Sequence, residues 1–206
     1  MRIAITGAVG IGKTTLASAL STRLNLPLIK EDFGEVVQAF NLSRLPEGIG
    51  LGPDALSEAC RQACMRWLSN RQGFQERLPD FVQDRCAIDI LQRWLVCNLS
   101  GQDNAATLRI IRHCQNLLGS LDWVVVPPFF LTPEQENEDR LVRSSSLGVL
   151  FRGQSLTIGI AHMLIPGERL LLLPTELRSV QERVNFVVDR IQRQYSHPAS
   201  PFNLDS

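Results

Sequence analysis

Hydrophobic positions along the chain alternate between short apolar runs and longer stretches with helical spacing. Residues 2–6 read as a buried strand. Residues 14–24 read as a helix with Leu16, Ala17, Leu20 and Leu24 on one face, stopped by Asn25 and Pro27. A second short strand is predicted at 26–29, followed by a Gly/Pro-rich loop through Gly48, Gly50, Gly52 and Pro53. The segment 54–71 then sets Leu56, Cys60, Ala63 and Trp67 at helical spacing, with Gly73 beyond its end.

Residues 80–84 form a weaker strand pattern, interrupted by Gln83. They lead into a helix on which Ile88, Leu91 and Leu95 share a face until Gly101, and the pair Asp84-Arg85 sits at the strand-to-helix junction. A further helix is predicted over 103–118, stopped by Gly119. The continuous apolar run Trp123–Val126 has the character of a central parallel strand and ends at Pro127-Pro128. A fifth strand follows at 169–173, then a helix over 175–194 with Leu177, Val180, Val184, Val187 and Ile191 on one stripe. Strands four and five are separated by residues 129–168, a connection long enough to be read as a lid-like functional insertion. This rhythm predicts an α/β fold of three layers, a five-stranded parallel sheet covered by helices on both faces.

The chain has 206 residues, which fits one domain over 1–194 and a loose tail at 195–206. Lys plus Arg number 21 and Asp plus Glu number 21, so there is no global attraction to polyanions and binding to nucleic acid through bulk charge is disfavoured. The longest uncharged stretch, 153–167, falls short of the ~18 apolar residues of a membrane span. No basic segment followed by a long apolar run opens the chain. Cys60, Cys64, Cys86, Cys97 and Cys114 are odd in number, lack C-x-x-C spacing and mostly fall on apolar helical stripes. They read as reduced core residues, and the expectation is a cytoplasmic protein with no membrane partner.

Gly7-Ala8-Val9-Gly10-Ile11-Gly12-Lys13-Thr14 fits G-x-x-x-x-G-K-[ST], and it lies between the first strand and the first helix. Such a loop turns successive backbone N–H groups inward onto phosphate oxygens, and the helix start adds its partial positive charge. Residues Gly7 to Thr15 are therefore the expected nucleotide-binding set, with Lys13 on the β and γ phosphates and the Thr14 hydroxyl on Mg²⁺. ATP and Mg²⁺ are the expected cofactors. No N-K-x-D pattern for reading guanine occurs, and no apolar strand ends in Asp-Glu as motor and assembly ATPases usually show. Asp84 stands at the carboxyl end of a strand, on the edge of the sheet where α/β proteins bind ligands; as a residue just before a helix, it also fits an N-cap.

The P-loop, the turn Asp84-Arg85-x-x-x-Asp89, an arginine-bearing stretch after the fourth strand and the closing element 173–184 together resemble the nucleoside and nucleotide kinase-like P-loop proteins. The nearest flavour is the AAA-type ATPase/kinase group that includes the nicotinamide riboside kinase domain. The resemblance spans residues 2–191 in outline, with the P-loop as its specific part. It implies phosphoryl transfer from Mg-ATP to a small nucleoside-like or nucleotide-like acceptor. Asp84 would be the carboxylate near the acceptor hydroxyl, as general base or through water to Mg²⁺, and Arg85 would hold the acceptor. Glu31 and Asp32 follow the second strand, where related kinases keep an acidic group facing the acceptor. Arg140 and Arg143, three apart in the insertion, would be lid arginines that stabilise charge in transfer.

Each of these residues also has a plainer reading. Glu134, Glu136, Glu138 and Asp139 can pair with the lid arginines on a solvated surface, Glu31 and Asp32 fit an ordinary polar loop, and Asp89 reads as solvated or structural. Trp67 lies on the apolar stripe and reads as core, although it and Phe40 can stack on a flat ring. His113 and His162 have no partners at ligand spacing. The apolar segment 147–165 can pack on the body or on a second subunit, which leaves a homodimer open. The alternative function is a regulatory or assembly ATPase acting on a macromolecular partner.

Overall fold

The computed structural model describes residues 1–42, 53–96, 103–129 and 147–196. Five strands, β1 (Arg2–Ile5), β2 (Leu28–Ile29), β3 (Phe81–Asp84), β4 (Trp123–Val126) and β5 (Leu170–Leu172), form one sheet in the order β2-β3-β1-β4-β5. Every pairing is parallel. Among the described residues the helices are α1 (Lys13–Leu24), α2 (Gly34–Leu42), α3 (Pro53–Arg77), α4 (Ala87–Val96), α5 (Asn104–Gly119), α6 (Leu147–Leu164) and α7 (Val180–Ser196).

The strands are apolar on both faces, and their alternation separates two cores. Ile3, Ile5, Val82, Trp123, Val125 and Leu171 join Leu16, Leu20, Val184, Val187 and Ile191 of α1 and α7. Ala4, Phe81 and Val124 point the other way, into the larger core that α2 to α6 build with Phe40, Leu68, Trp94, Ile110 and Ile160. Side chains that alternate across a pleat make this three-layer arrangement unavoidable once both faces are apolar. Gln83, which weakened the pattern of β3, is buried; its Oε1 accepts from Gln75 Nε2 at 3.2 Å, and Ser120 Oγ donates to Gln75 Oε1 at 2.9 Å. Helix α3 brings a partner to the Gln83 oxygen, while Gln83 Nε2 is buried without a hydrogen bond.

Several boundaries differ from the sequence expectation. Helix α2 replaces the first part of the loop expected after β2. Phe33, Val36 and Phe40 are buried at helical spacing, and the Gly/Pro composition downstream obscured that stripe. Strand β2 is shorter than 26–29 because Asn25 takes a left-handed turn and Pro27 offers no N–H to the ladder. Helix α3 runs past Gly73 to Arg77; a Cβ at Gly73 would meet nothing, so the glycine faces open space, while the buried Arg71 and Gln75 anchor the helix on either side of it. Helix α7 starts at Val180 instead of residue 175, where Ser179 and Glu182 form a capping box: Ser179 N donates to Glu182 Oε2 at 2.8 Å, and Glu182 N donates to Ser179 Oγ at 3.2 Å.

The far half of the insertion expected over 129–168 is helix α6, which packs on α4 and sends Ile160 and Ala161 into the larger core. The segment packs on the body through Leu150, Ile160, Ala161 and Ile165, while Phe151 and Met163 are exposed. Arg140 and Arg143 lie outside the described residues, as do Cys97 and the tail from residue 197. Among the described residues no helix is long and apolar enough to cross a membrane.

Candidate functional site

The register of the sheet levels the ends of three strands: Ile5 of β1 pairs with Asp84 of β3 on one side and Val125 of β4 on the other. The ladder continues one step further, Arg85 N donating to Ile5 O at 2.9 Å and Thr6 N to Val125 O at 3.0 Å. The G-x-x-x-x-G-K-T loop leaves β1 here. This is the crevice where an open parallel sheet reverses its strand order, with β3 on one side of β1 and β4 on the other.

Gly7, Gly10 and Gly12 take φ of 139°, 83° and 85°, backbone that residues with a Cβ rarely adopt. At Gly7 space is short as well as strained, because a Cβ would collide with Ile11 Cδ1. Val9 and Gly10 are exposed at the tip of the loop, and Thr14 and Thr15 are exposed at the start of α1. The first N–H groups of a helix have no acceptor within it, so α1 opens toward solvent as an anion site. Lys13 is buried, and its Nζ donates to the Ala8 carbonyl at 2.6 Å. Desolvation lowers the pKa of its ammonium, against the pull of Asp89 and Asp84.

Asp84 is 1% exposed, and neither carboxylate oxygen meets hydrogen-bond geometry with any partner. Burial pushes its pKa above the ordinary aspartate value, with the nearby Thr14 hydroxyl, Arg85 and Lys13 pulling the other way. Asp84 therefore does not cap α4, one of the two roles the sequence allowed. Asp89, in the first turn of α4, reaches back to the helix start instead: its Oδ2 accepts from Cys86 N at 3.0 Å and from Thr6 Oγ1 at 2.7 Å. Asp89 is buried, so the structural half of its reading holds and the solvated half does not.

Arg85 has φ of 67°, a left-handed conformation for a side chain of this size. Its Nη1 donates to Asp89 Oδ1 at 3.0 Å, and its guanidinium stacks 4.7 Å from the centre of the Phe33 ring. Its Nε lies 2.7 Å from Glu31 Oε1, an ion pair made off the line of the N–H, which itself forms no hydrogen bond. Burial works against this cation, and the carboxylates of Asp89 and Glu31 more than offset it, leaving its pKa raised. Glu31 keeps 35% of its side chain exposed, and Asp32 is exposed. Beside this group lies a cavity of about 70 Å³ between loop residues Gly7 to Val9, Phe33, Arg85, Gln92 and Leu150.

The structure thus brings together Lys13, Thr14, Asp84, Arg85 and Glu31 from three separate segments. Phe40 is fully buried in the core and cannot stack on a ligand, and Trp67, 6% exposed, packs edge-on against Phe33 at 5.7 Å. His113 is half-buried and bonded to Gln72, and no set of three or more His, Cys, Asp or Glu side chains among the described residues can hold a metal. Cys60, Cys64, Cys86 and Cys114 are buried thiols, burial pushing the Cys86 thiol up to about 12. Two residues not singled out for the site also reach the loop. Gln154 of α6 accepts from Ala8 N at 2.8 Å, and Arg183 of α7 extends Nη1 toward Ile11 O at 3.4 Å. Arg183 lay inside the closing element of the resemblance; Gln154 carried no signal, because a lone glutamine on an apolar helix belongs to no pattern.

No family model matches the chain, and no curated protein does. Solved structures do. A deoxyadenosine kinase from M. mycoides superposes with a TM-score of 0.63 at 18% identity, covering 94% of this chain and 99% of that one. The NadR protein in complex with NR superposes with a TM-score of 0.60 at 13% identity over 99% of this chain, which spans 53% of that one. A thymidylate kinase from Candida albicans gives a TM-score of 0.54 at 15% identity, covering 95% and 92% of the two chains. At such identities it is the backbone arrangement that is shared. The chain has the fold of the P-loop nucleoside and nucleotide kinases.

Proposed function

We propose that the protein transfers a phosphoryl group from Mg-ATP to a small nucleoside-like or nucleotide-like acceptor. The observation that carries this reading is the pair of unlike carboxylates beside one P-loop: Asp84, buried with the Thr14 hydroxyl nearby and no oxygen in hydrogen-bond geometry, and Glu31, solvent-reachable and paired with Arg85. The solved kinases of the same fold support the same class of reaction.

Lys13 and the loop amides bind the phosphates, and Thr14 stands at the start of α1. Mg²⁺ fits the donor set here, a threonine hydroxyl and a carboxylate with both oxygens unclaimed, since this cation keeps most of its shell for water and phosphate. When bound it neutralises phosphate charge. Asp84 and Thr14 would hold it. Arg85 fixes the acceptor, and Glu31 beside it accepts a hydrogen bond from the acceptor hydroxyl and takes up its proton. This divides between two residues the roles that the resemblance gave to Asp84 alone. Arg140 and Arg143 complete the proposal as cations that cover the transferring group.

ATP consumption with Mg²⁺ against nucleosides, deoxynucleoside monophosphates and nicotinamide riboside, with mass detection of product, tests it. A phosphorylated acceptor establishes the reaction. ATP binding with no acceptor modified, and ATP loss stimulated by a macromolecule, would sink it in favour of a regulatory ATPase.

A further inference from the structure

A buried glutamine grips the P-loop from outside. Gln154 is 3% exposed, and both ends of its amide are used: Oε1 accepts from Ala8 N at 2.8 Å, and Nε2 donates to Pro127 O at 2.9 Å. Ala8 follows β1 and Pro127 follows β4, so one side chain ties the phosphate-binding turn to the end of the neighbouring strand. Gly153 stands where helix α6 passes between α4 and the loop. A Cβ there would stand 3.0 Å from Gln92 Nε2 and 4.0 Å from Ala8 Cβ. Gly7 meets the same constraint from the loop side, where a Cβ would stand 3.1 Å from Gln154 Oε1.

Ala8 is consequently held at both polar atoms, its N–H by Gln154 and its carbonyl by Lys13 Nζ at 2.6 Å. Ala8 is itself buried, so an N–H that lost Gln154 would have no water to replace it. The Gly7–Ala8 peptide would turn to find another acceptor, and the adjoining Ala8–Val9 peptide, whose carbonyl is the resting place of Lys13, would shift with it through the Ala8 Cα.

We infer that Gln154 is a positioning residue for nucleotide binding, fixing through Ala8 the loop on which Lys13 rests and so linking the helix after the insertion to phosphate affinity. The inference rests on the reading of this loop as a nucleotide site. Thr157, 1% exposed on the same helix, supplies the control, since its Oγ1 donates to Gly153 O at 3.0 Å and has no bond to the loop.

The test is the Kd for Mg-ATP, by calorimetry on the full chain, of the wild type, Gln154→Met and Thr157→Val, with thermal unfolding of each. Gln154→Met keeps volume and removes both bonds, and is expected to raise Kd by about tenfold. Thr157→Val is expected to lose stability on a similar scale and keep the wild-type Kd. Gln154→Glu, which retains an acceptor for Ala8, should fall between the wild type and Gln154→Met. If Gln154→Met does not fold, Gln154→Asn takes its place with the same expectation, being one methylene too short to span both partners. An unchanged Kd in the glutamine variant, or equal losses in Thr157→Val, overturns the inference while leaving the nucleotide site standing. A wild-type chain that does not bind Mg-ATP overturns the site reading, and this inference falls with it.

Discussion

The Lys13 ammonium donates to the carbonyl oxygen of Ala8 at 2.6 Å, so the charge that the proposed reaction assigns to phosphate is pinned to its own loop. Lys13→Ala should lower product formation by about a hundredfold or more, the scale of removing one preorganised donor. The circular dichroism of the variant should match the wild type. Substantial turnover in a folded variant would mean that the reacting phosphates lie elsewhere.

Asp84 predicts a pH signature in the chain free of nucleotide and metal. Its pKa is raised by burial above the ordinary 3.8, so the folded state holds this proton more tightly than the unfolded state does. The contribution to stability is therefore best at acid pH and is lost as pH rises through the window above 3.8. Asp84→Asn should be more stable than the wild type at neutral pH by about 1–3 kcal/mol, the scale of an unsatisfied buried polar group. The gain should shrink toward pH 3, and the same variant should lose phosphoryl transfer. Urea midpoints of both proteins across pH check it; a gain that grows on acidification would refute the assignment.

Arg85 reaches two carboxylates in different directions, Asp89 through Nη1 and Glu31 at Nε, which a single ammonium cannot reproduce. Arg85→Lys should raise the KM for the acceptor by about tenfold and leave the KM for ATP near wild type. Steady-state kinetics with each substrate varied separately distinguish this from a general loss of fold, which would move both.

Gln75 isolates stability from function. It connects the buried Gln83 to Ser120 on the face of the sheet away from α1. Gln75→Leu should cost about 1–3 kcal/mol in chemical unfolding, with ATP affinity unchanged. A change in affinity would show that the polar chain across β3 reaches the ligand.

Phe40 separates the core reading from the ring-stacking one. Fully buried in the core, it should cost about 3–5 kcal/mol when truncated to alanine. The acceptor KM of whatever fraction stays folded should be that of the wild type. A selective rise in KM would return the ring to the substrate.

The parallel sheet and the P-loop were legible because their signals are local: apolar runs bounded by helix starters, and eight consecutive residues whose spacing encodes a backbone shape. Asp84 was legible as a strand-end carboxylate, but not as the one left unbonded. That depended on Asp89 reaching back to the helix start, through contacts with Thr6 and Cys86 that only the folded chain brings together. The stripe Phe33, Val36, Phe40 was present and was overridden by the glycines after it. Glu31 and Arg85 were both named, yet nothing in the sequence between them indicates that they form a pair. Gln154 was invisible for the same reason in stronger form, since its two partners lie 146 and 27 residues away.

The strand order carries a consequence for how the molecule is made. β1 is synthesised first yet sits in the middle of the sheet, and its neighbours are residues 81–84 and 123–126. A chain growing from its amino end therefore holds this apolar strand with no partner until residues 81–84 have emerged and with one edge bare until residues 123–126 follow, and contacts this distant in sequence form slowly. The loop that follows β1 must wait longer still for the amide at position 154. Truncated chains ending between β4 and α6 should accordingly carry the whole phosphate-binding motif in their sequence and be the species most in need of a chaperone.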